Sequence, residues 1–188
     1  MKAIVRQAMG SASGRPSRGV ASVRAATSRI LATLGILIVM GASSRAMEYR
    51  SPDGALTAVV AVGRGDDCEA RIAWRTADGQ IVFKKEYTSP GHQHGYCIDM
   101  ASWTPDSQFF VYNLTNSGGH SPWHIPVHFF ARRTTTVENL ENYINDPPTG
   151  EKFSVFAPDV VEVTTTALPL DKHKPIVRQL HLGELRKK

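Results

Sequence analysis

The chain has 188 residues, with 22 Lys and Arg against 17 Asp and Glu and a formal net charge of +5. Seven of those bases and none of the acids lie in the first 46 positions, so residues 47–188 carry 15 bases against 17 acids and a net charge of −2. Basic residues then cluster only at Lys84-Lys85, Arg132-Arg133 and the tail Arg186-Lys187-Lys188, which excludes the basic face that nucleic-acid binding requires. What remains is long enough for one domain with its own core.

The leader places Lys2, Arg6, Arg15, Arg18, Arg24 and Arg29 ahead of an apolar stretch from Ile30 to Ala42, which ends at the small-x-small pattern Ser44-Arg45-Ala46. That order predicts a signal peptide over 1–46, cleaved after Ala46, and hence a periplasmic or secreted product. Thirteen apolar residues fall short of the ~20 that a transmembrane helix needs, so no membrane span is expected after cleavage. An organellar transit peptide is also rich in Arg and Ser, but the compact apolar block favours secretion. In an oxidising compartment the only two cysteines, Cys68 and Cys97, are expected to form a disulfide.

Past the leader, Leu56 to Val62 reads as an apolar strand. Ala70, Ile72 and Trp74 then alternate with Arg71 and Arg75, as a half-buried strand requires. Ala77-Asp78-Gly79 supplies a hairpin, whose return strand should put Ile81, Phe83 and Tyr87 on one face and Lys84 and Glu86 on the other. After a loop rich in Gly, Pro and His at 89–95 come a strand from Tyr96 through Trp103 and the run Phe109 to Leu114. That run is apolar on both faces, which predicts a central strand covered on both sides. Ile125 to Ala131 contains Pro126, a residue of edges and bulges. Thr136 is positioned to cap one short helix near 137–144, with Val137, Leu140 and Ile144 on one side. Asp146 to Gly150 breaks the chain before Phe153–Phe156 and Val160–Thr166. Residues 167–188 are expected to be a C-terminal extension with a last strand at Ile176–Leu182 and a basic tail.

Three Pro-Asp dipeptides punctuate this series at Asp53, Asp106 and Asp159, each 53 residues after the last. Each is followed by an apolar strand-like run, which marks 47–166 as a β-repeat domain. Pro presets φ for a turn and Asp accepts from nearby backbone N–H groups, so the pair suits a tight reversal. Trp103-Thr104-Pro105-Asp106-Ser107-Gln108-Phe109-Phe110 resembles a blade of the TolB-like β-propellers, in which a strand ends in Trp-Ser/Thr-Pro-Asp-Gly/Ser. Ser51-Pro52-Asp53-Gly54 lacks the Trp, and Ala157-Pro158-Asp159 keeps only the dipeptide. The resemblance implies an all-β fold, an antiparallel meander of two to three blade-like units. So few units cannot close a ring, and the sheet is left with an open edge through which copies could pair.

Five of the seven histidines fall between His92 and His128. His92 and His94 share one loop, while His120, His124 and His128 recur every four residues; in an extended segment His124 and His128 face the same way. Two readings are open. The first is a contact surface of His92, His94, His120, Trp123 and His124, because a Gly-Gly loop presenting Trp and His suits recognition of a protein or envelope component. The second is a zinc or copper site formed by His92, His94, His120, His124 and His128, which needs the separate loops to converge; Pro122 and Pro126 exclude the helical His-x-x-x-His version. No acid adjoins these histidines in sequence, with Asp99 the nearest candidate for a general base. Gly119-His120-Ser121-Pro122-Trp123 fails as a nucleophile elbow, since Trp stands where Gly is needed. The segment 118–124 resembles one in uncharacterised exported bacterial proteins, which carries no activity with it. With no complete catalytic constellation, the expected function is that of an exported, non-enzymatic β module without a cofactor that binds a macromolecular partner or serves the cell envelope. The alternative is a metal-binding protein or metal-dependent enzyme.

Overall fold

The computed structural model describes residues 45–63, 68–92, 95–116, 124–166 and 175–185. Eleven strands follow one another: β1 (Arg45–Arg50), β2 (Leu56–Val62), β3 (Ala70–Thr76), β4 (Ile81–Glu86), β5 (Tyr96–Trp103), β6 (Phe109–Asn116), β7 (Val127–Ala131), β8 (Thr136–Asn139), β9 (Pro148–Phe156), β10 (Val160–Thr166) and β11 (Pro175–His181). They form three antiparallel meanders, β1-β2-β3-β4, β5-β6-β7-β8 and β9-β10-β11, and none closes on itself. The Pro-Asp turns join equivalent strands in all three sheets, β1 to β2, β5 to β6 and β9 to β10. Each blade-like unit is thus one complete sheet. Among the described residues no helix is long and apolar enough to cross a membrane.

The middle sheet is buried on both faces, which is why β6 reads as continuously apolar. Phe110, Tyr112 and Leu114 point toward the first sheet and pack with Leu56, Ile72 and Trp74, where Trp74 stacks on Phe130 at 4.5 Å between ring centroids. Val111 turns the other way and meets Phe153, Val161 and Val163 of the third sheet. Asn113, in the middle of this strand, is 1% exposed and accepts the Met100 N–H at 2.8 Å. It satisfies a donor freed where the β5–β6 register slips between Ile98 and Ala101.

Two local expectations change. The helix expected near 137–144 is strand β8 followed by one 3-10 turn, Leu140–Asn142, capped by the Asn139 side chain. Val137 pairs with Phe130 across the hairpin, because a helix here would leave the outer edge of β7 unpaired. In β4, Phe83 and Tyr87 pack on the core as expected, but Ile81 is 46% exposed. The register shift at Trp74/Arg75 pairs Ile81 with Arg75 and turns it outward.

The Pro-Asp turns explain their own unequal strengths. In the first, Ser51 Oγ donates to Asp53 Oδ1 at 2.6 Å and accepts from Leu56 N at 3.0 Å, while Asp53 Oδ1 also accepts from Ala55 N. Thr104, Asp106, Phe109 and Gln108 repeat that network in the second. Gly54 and Ser107 occupy the same position after Asp, and both have positive φ, 70° and 65°. The third turn has Ala157 where the hydroxyl stood and Val160 where φ must be positive, a conformation that is unfavourable for a β-branched residue. It closes as a shorter hairpin, with Phe156 paired to Val160. Asp159 looks elsewhere, accepting from Gly183 N at 2.7 Å and meeting His181 Nδ1 at 3.2 Å.

Candidate functional site

The meanders send all their short connections to one end and all their long ones to the other. At the Pro-Asp end the links 51–55, 77–80, 104–108, 132–135 and 157–159 have three to five residues. The strand ends joined by the links 63–69, 87–95, 117–126, 140–147 and 167–174, of seven to ten residues each, lie at the opposite end. Strands carry the sheet and tight turns carry its reversal, so the longer connections offer more room for variable side-chain chemistry. Cys68 and Cys97 form a disulfide there, tying the connection after β2 to the start of β5. Beside it, buried Glu69 accepts from the backbone and side chain of Ser89 at 2.9 and 2.7 Å, which pins the connection after β4.

His124 sits at this end, half-buried, with Nε2 2.5 Å from Glu141 Oε1. Glu141 is held by the 3-10 turn, where its N–H donates to Asn139 Oδ1 at 3.0 Å. The carboxylate next to a histidine is therefore Glu141; Asp99 lies exposed on β5. Sequence reading missed Glu141 because the helix assignment hid the β7–β8 hairpin. The register pairs His128 with Asn139, and that pairing folds residue 141 back beside residue 124. A Glu two residues beyond a strand-ending Asn was the available signal.

His128 does not share that environment. Its ring lies nearly parallel to Tyr112 at 5.9 Å between centroids and edge-on to Tyr87 at 6.0 Å, and its Nδ1 is buried without a hydrogen-bond partner among the described residues. Burial pushes its pKa down to about 4, against the opposing pull of Glu141, so the ring is neutral at pH 7. The two tyrosine hydroxyls meet at 2.6 Å. Burial raises both, Tyr87 to about 12 and Tyr112 well above its ordinary value, so both stay protonated and the pair acts as one structural hydrogen bond.

His92 ends a 3-10 turn, Pro90–His92, at the long-loop end. His94, His120 and Trp123 lie outside the described residues. Among the described residues, no group of three or more His, Cys, Asp or Glu is arranged to hold a metal ion. His124 and His128, expected to face one way, serve different neighbours: one a carboxylate, the other an aromatic core.

No family model matches the chain, and no curated protein matches it. A solved structure is similar, described as the crystal structure of puromycin hydrolase, at 19% identity and a TM-score of 0.37. The similarity covers 74% of this chain and 21% of that one, so the chain spans about a fifth of the length of the protein it resembles.

Proposed function

We propose that this protein is an exported, non-enzymatic β module that holds a macromolecular partner, a protein or envelope component, at its long-loop end. The observation that supports this most is the segregation of connections. Three stacked sheets present every connection of seven residues or more on one side, over a base cross-linked by Cys68–Cys97. A scaffold of paired strands under long loops suits recognition, because loop residues change without disturbing the ladders beneath. His124 with Glu141 is a polar contact pair at this end, and Trp123, His120, His94 and His92 belong to the same connections.

The test is in situ crosslinking in the exported fraction, comparing the wild type with a Trp123→Ala/His124→Ala variant and with Lys84→Ala on the outer face of the first sheet. The expected result is loss of a crosslinked species in the loop variant and its retention in Lys84→Ala. A loop variant that keeps every crosslinked species overturns the reading. N-terminal sequencing of the exported protein tests its other half: a mature chain beginning at Met47 is expected, and an uncleaved chain retained inside the cell refutes export.

A further inference from the structure

The short-turn end repeats one interaction and then leaves it unfinished. Between the first and second sheets, the Asp53 N–H donates to Ser107 Oγ at 3.0 Å and Asp53 Oδ2 meets Arg132 Nη1 at 2.5 Å. One sheet further on, the Asp106 N–H donates in the same sense to the Pro158 carbonyl at 3.1 Å. Asp106 Oδ1 is taken up by Thr104 and Gln108. Its Oδ2 has no hydrogen-bond or ion-pair partner among the described residues.

Register shows what is missing. Arg132 is the first residue past β7, and its N–H donates to the Gln108 carbonyl at 2.9 Å. Leu182 is the first residue past β11, and its N–H donates to the Asp159 carbonyl at 3.1 Å. Leu182 thus stands in the third sheet where Arg132 stands in the second. Among the described residues, the guanidinium that neutralises Asp53 has no counterpart at Asp106.

Leu182 is buried in the core at that position, and beside it lies a cavity of 410 Å³ lined by both Asp106 and Leu182, a volume within the range of small-molecule sites. Its aromatic wall is a connected row: Phe109 and Phe129 meet edge to face at 5.8 Å, and Phe129 meets Tyr143 at 6.0 Å. Asp159, already engaged by Gly183 and His181, and Glu138 add carboxylates to the lining, and Arg133 is its one base among the described residues.

We propose that this cavity binds a small organic cation, a guanidinium on a short alkyl chain, with Asp106 Oδ2 taking the place that Asp53 Oδ2 gives to Arg132. A guanidinium suits the site better than an ammonium: it is the group that Asp53 Oδ2 holds at the equivalent turn, and it is weakly hydrated enough to lie beside an aromatic wall. Arg133 is an exposed competitor for the same carboxylate. The cavity lies beside the short turns, and only Tyr143 of its lining comes from one of the long connections, 140–147.

The experiment is calorimetric titration of the full chain with agmatine, with its neutral carbamoyl analogue as control. Agmatine is expected to bind, and the analogue to bind at least about tenfold more weakly, as loss of a charge-assisted contact implies. Asp106→Asn keeps the Oδ1 acceptor that closes the turn, and should weaken agmatine by about tenfold or more. Arg133→Ala should tighten it. No agmatine binding up to about 10 mM, a level at which even a millimolar affinity registers, overturns the proposal. So does undiminished binding to Asp106→Asn, or binding of an Arg-containing peptide where agmatine fails.

Discussion

Replacing His128 with Phe should make the protein less sensitive to acid, by an amount the structure sets. The imidazole lies against Tyr112 and Tyr87 with Nδ1 unpaired among the described residues, and its pKa falls to about 4 from the ordinary 6.5. Because the folded value is the lower one, the unfolded chain binds the proton first. The neutral histidine therefore contributes stability above pH 6.5, and that contribution drains away as pH falls toward 4. With 1.36 kcal/mol per pK unit, wild type loses about 2 kcal/mol by pH 5 and about 3 kcal/mol by pH 4 from this residue alone. Phe keeps the aromatic contacts and removes both the titration and the unpaired nitrogen, so His128→Phe should be at least as stable as wild type at pH 7.5. Urea denaturation of the two proteins from pH 7.5 to 4 is the assay, because other titrating groups cancel in the difference. A stability difference that stays constant across that range would show that the ring is not held neutral by burial, and the reasoning would fail.

Other perturbations follow from the turns and the cross-link. Thr104→Ala removes the hydroxyl that bridges Asp106 and Phe109, and denaturant titration should show a loss of about 1–3 kcal/mol, with Thr104→Ser close to wild type. Ser107→Gly should be nearly neutral by the same measurement: relief of the 65° φ gives back about 1 kcal/mol, and loss of the Asp53 N–H contact costs about as much. Reducing Cys68–Cys97, 29 residues apart, should lower stability by about 3–4 kcal/mol, read from melts with and without reductant. Gly95→Ala puts its Cβ 2.5 Å from the Tyr87 carbonyl oxygen and close to Glu69, so its melting temperature should fall well below that of wild type.

Strand identities were legible where burial follows a two-residue period. Ala70, Ile72 and Trp74 alternate against Arg71 and Arg75 and do so again in space. The doubly apolar β6 announced a covered strand, and the second Pro-Asp turn its hairpin. Reading failed where one residue of slippage or one distant partner decides. Val137, Leu140 and Ile144 satisfy a helical period as well as a strand with a 3-10 turn, and only the free edge of β7 chooses between them. Ile81 lies on the core-facing period of its strand, and the bulge opposite Trp74 turns it out. The third Pro-Asp dipeptide keeps the spacing but not the turn, for reasons visible only once Ala157 and Val160 are set beside Ser51 and Gly54.

The sequence alone determined what is local: turn chemistry at Ser51-Pro52-Asp53 and Thr104-Pro105-Asp106, the alternation of the strands, and the all-β class, because these depend on φ preferences and side-chain periods within a few residues. Tertiary structure decided what meets across sheets. It put Glu141 beside His124, sank His128 among tyrosines, gathered the long connections at one end, and left Asp106 without the arginine that Asp53 has. Those facts depend on register between segments tens of residues apart, and no local pattern encodes them.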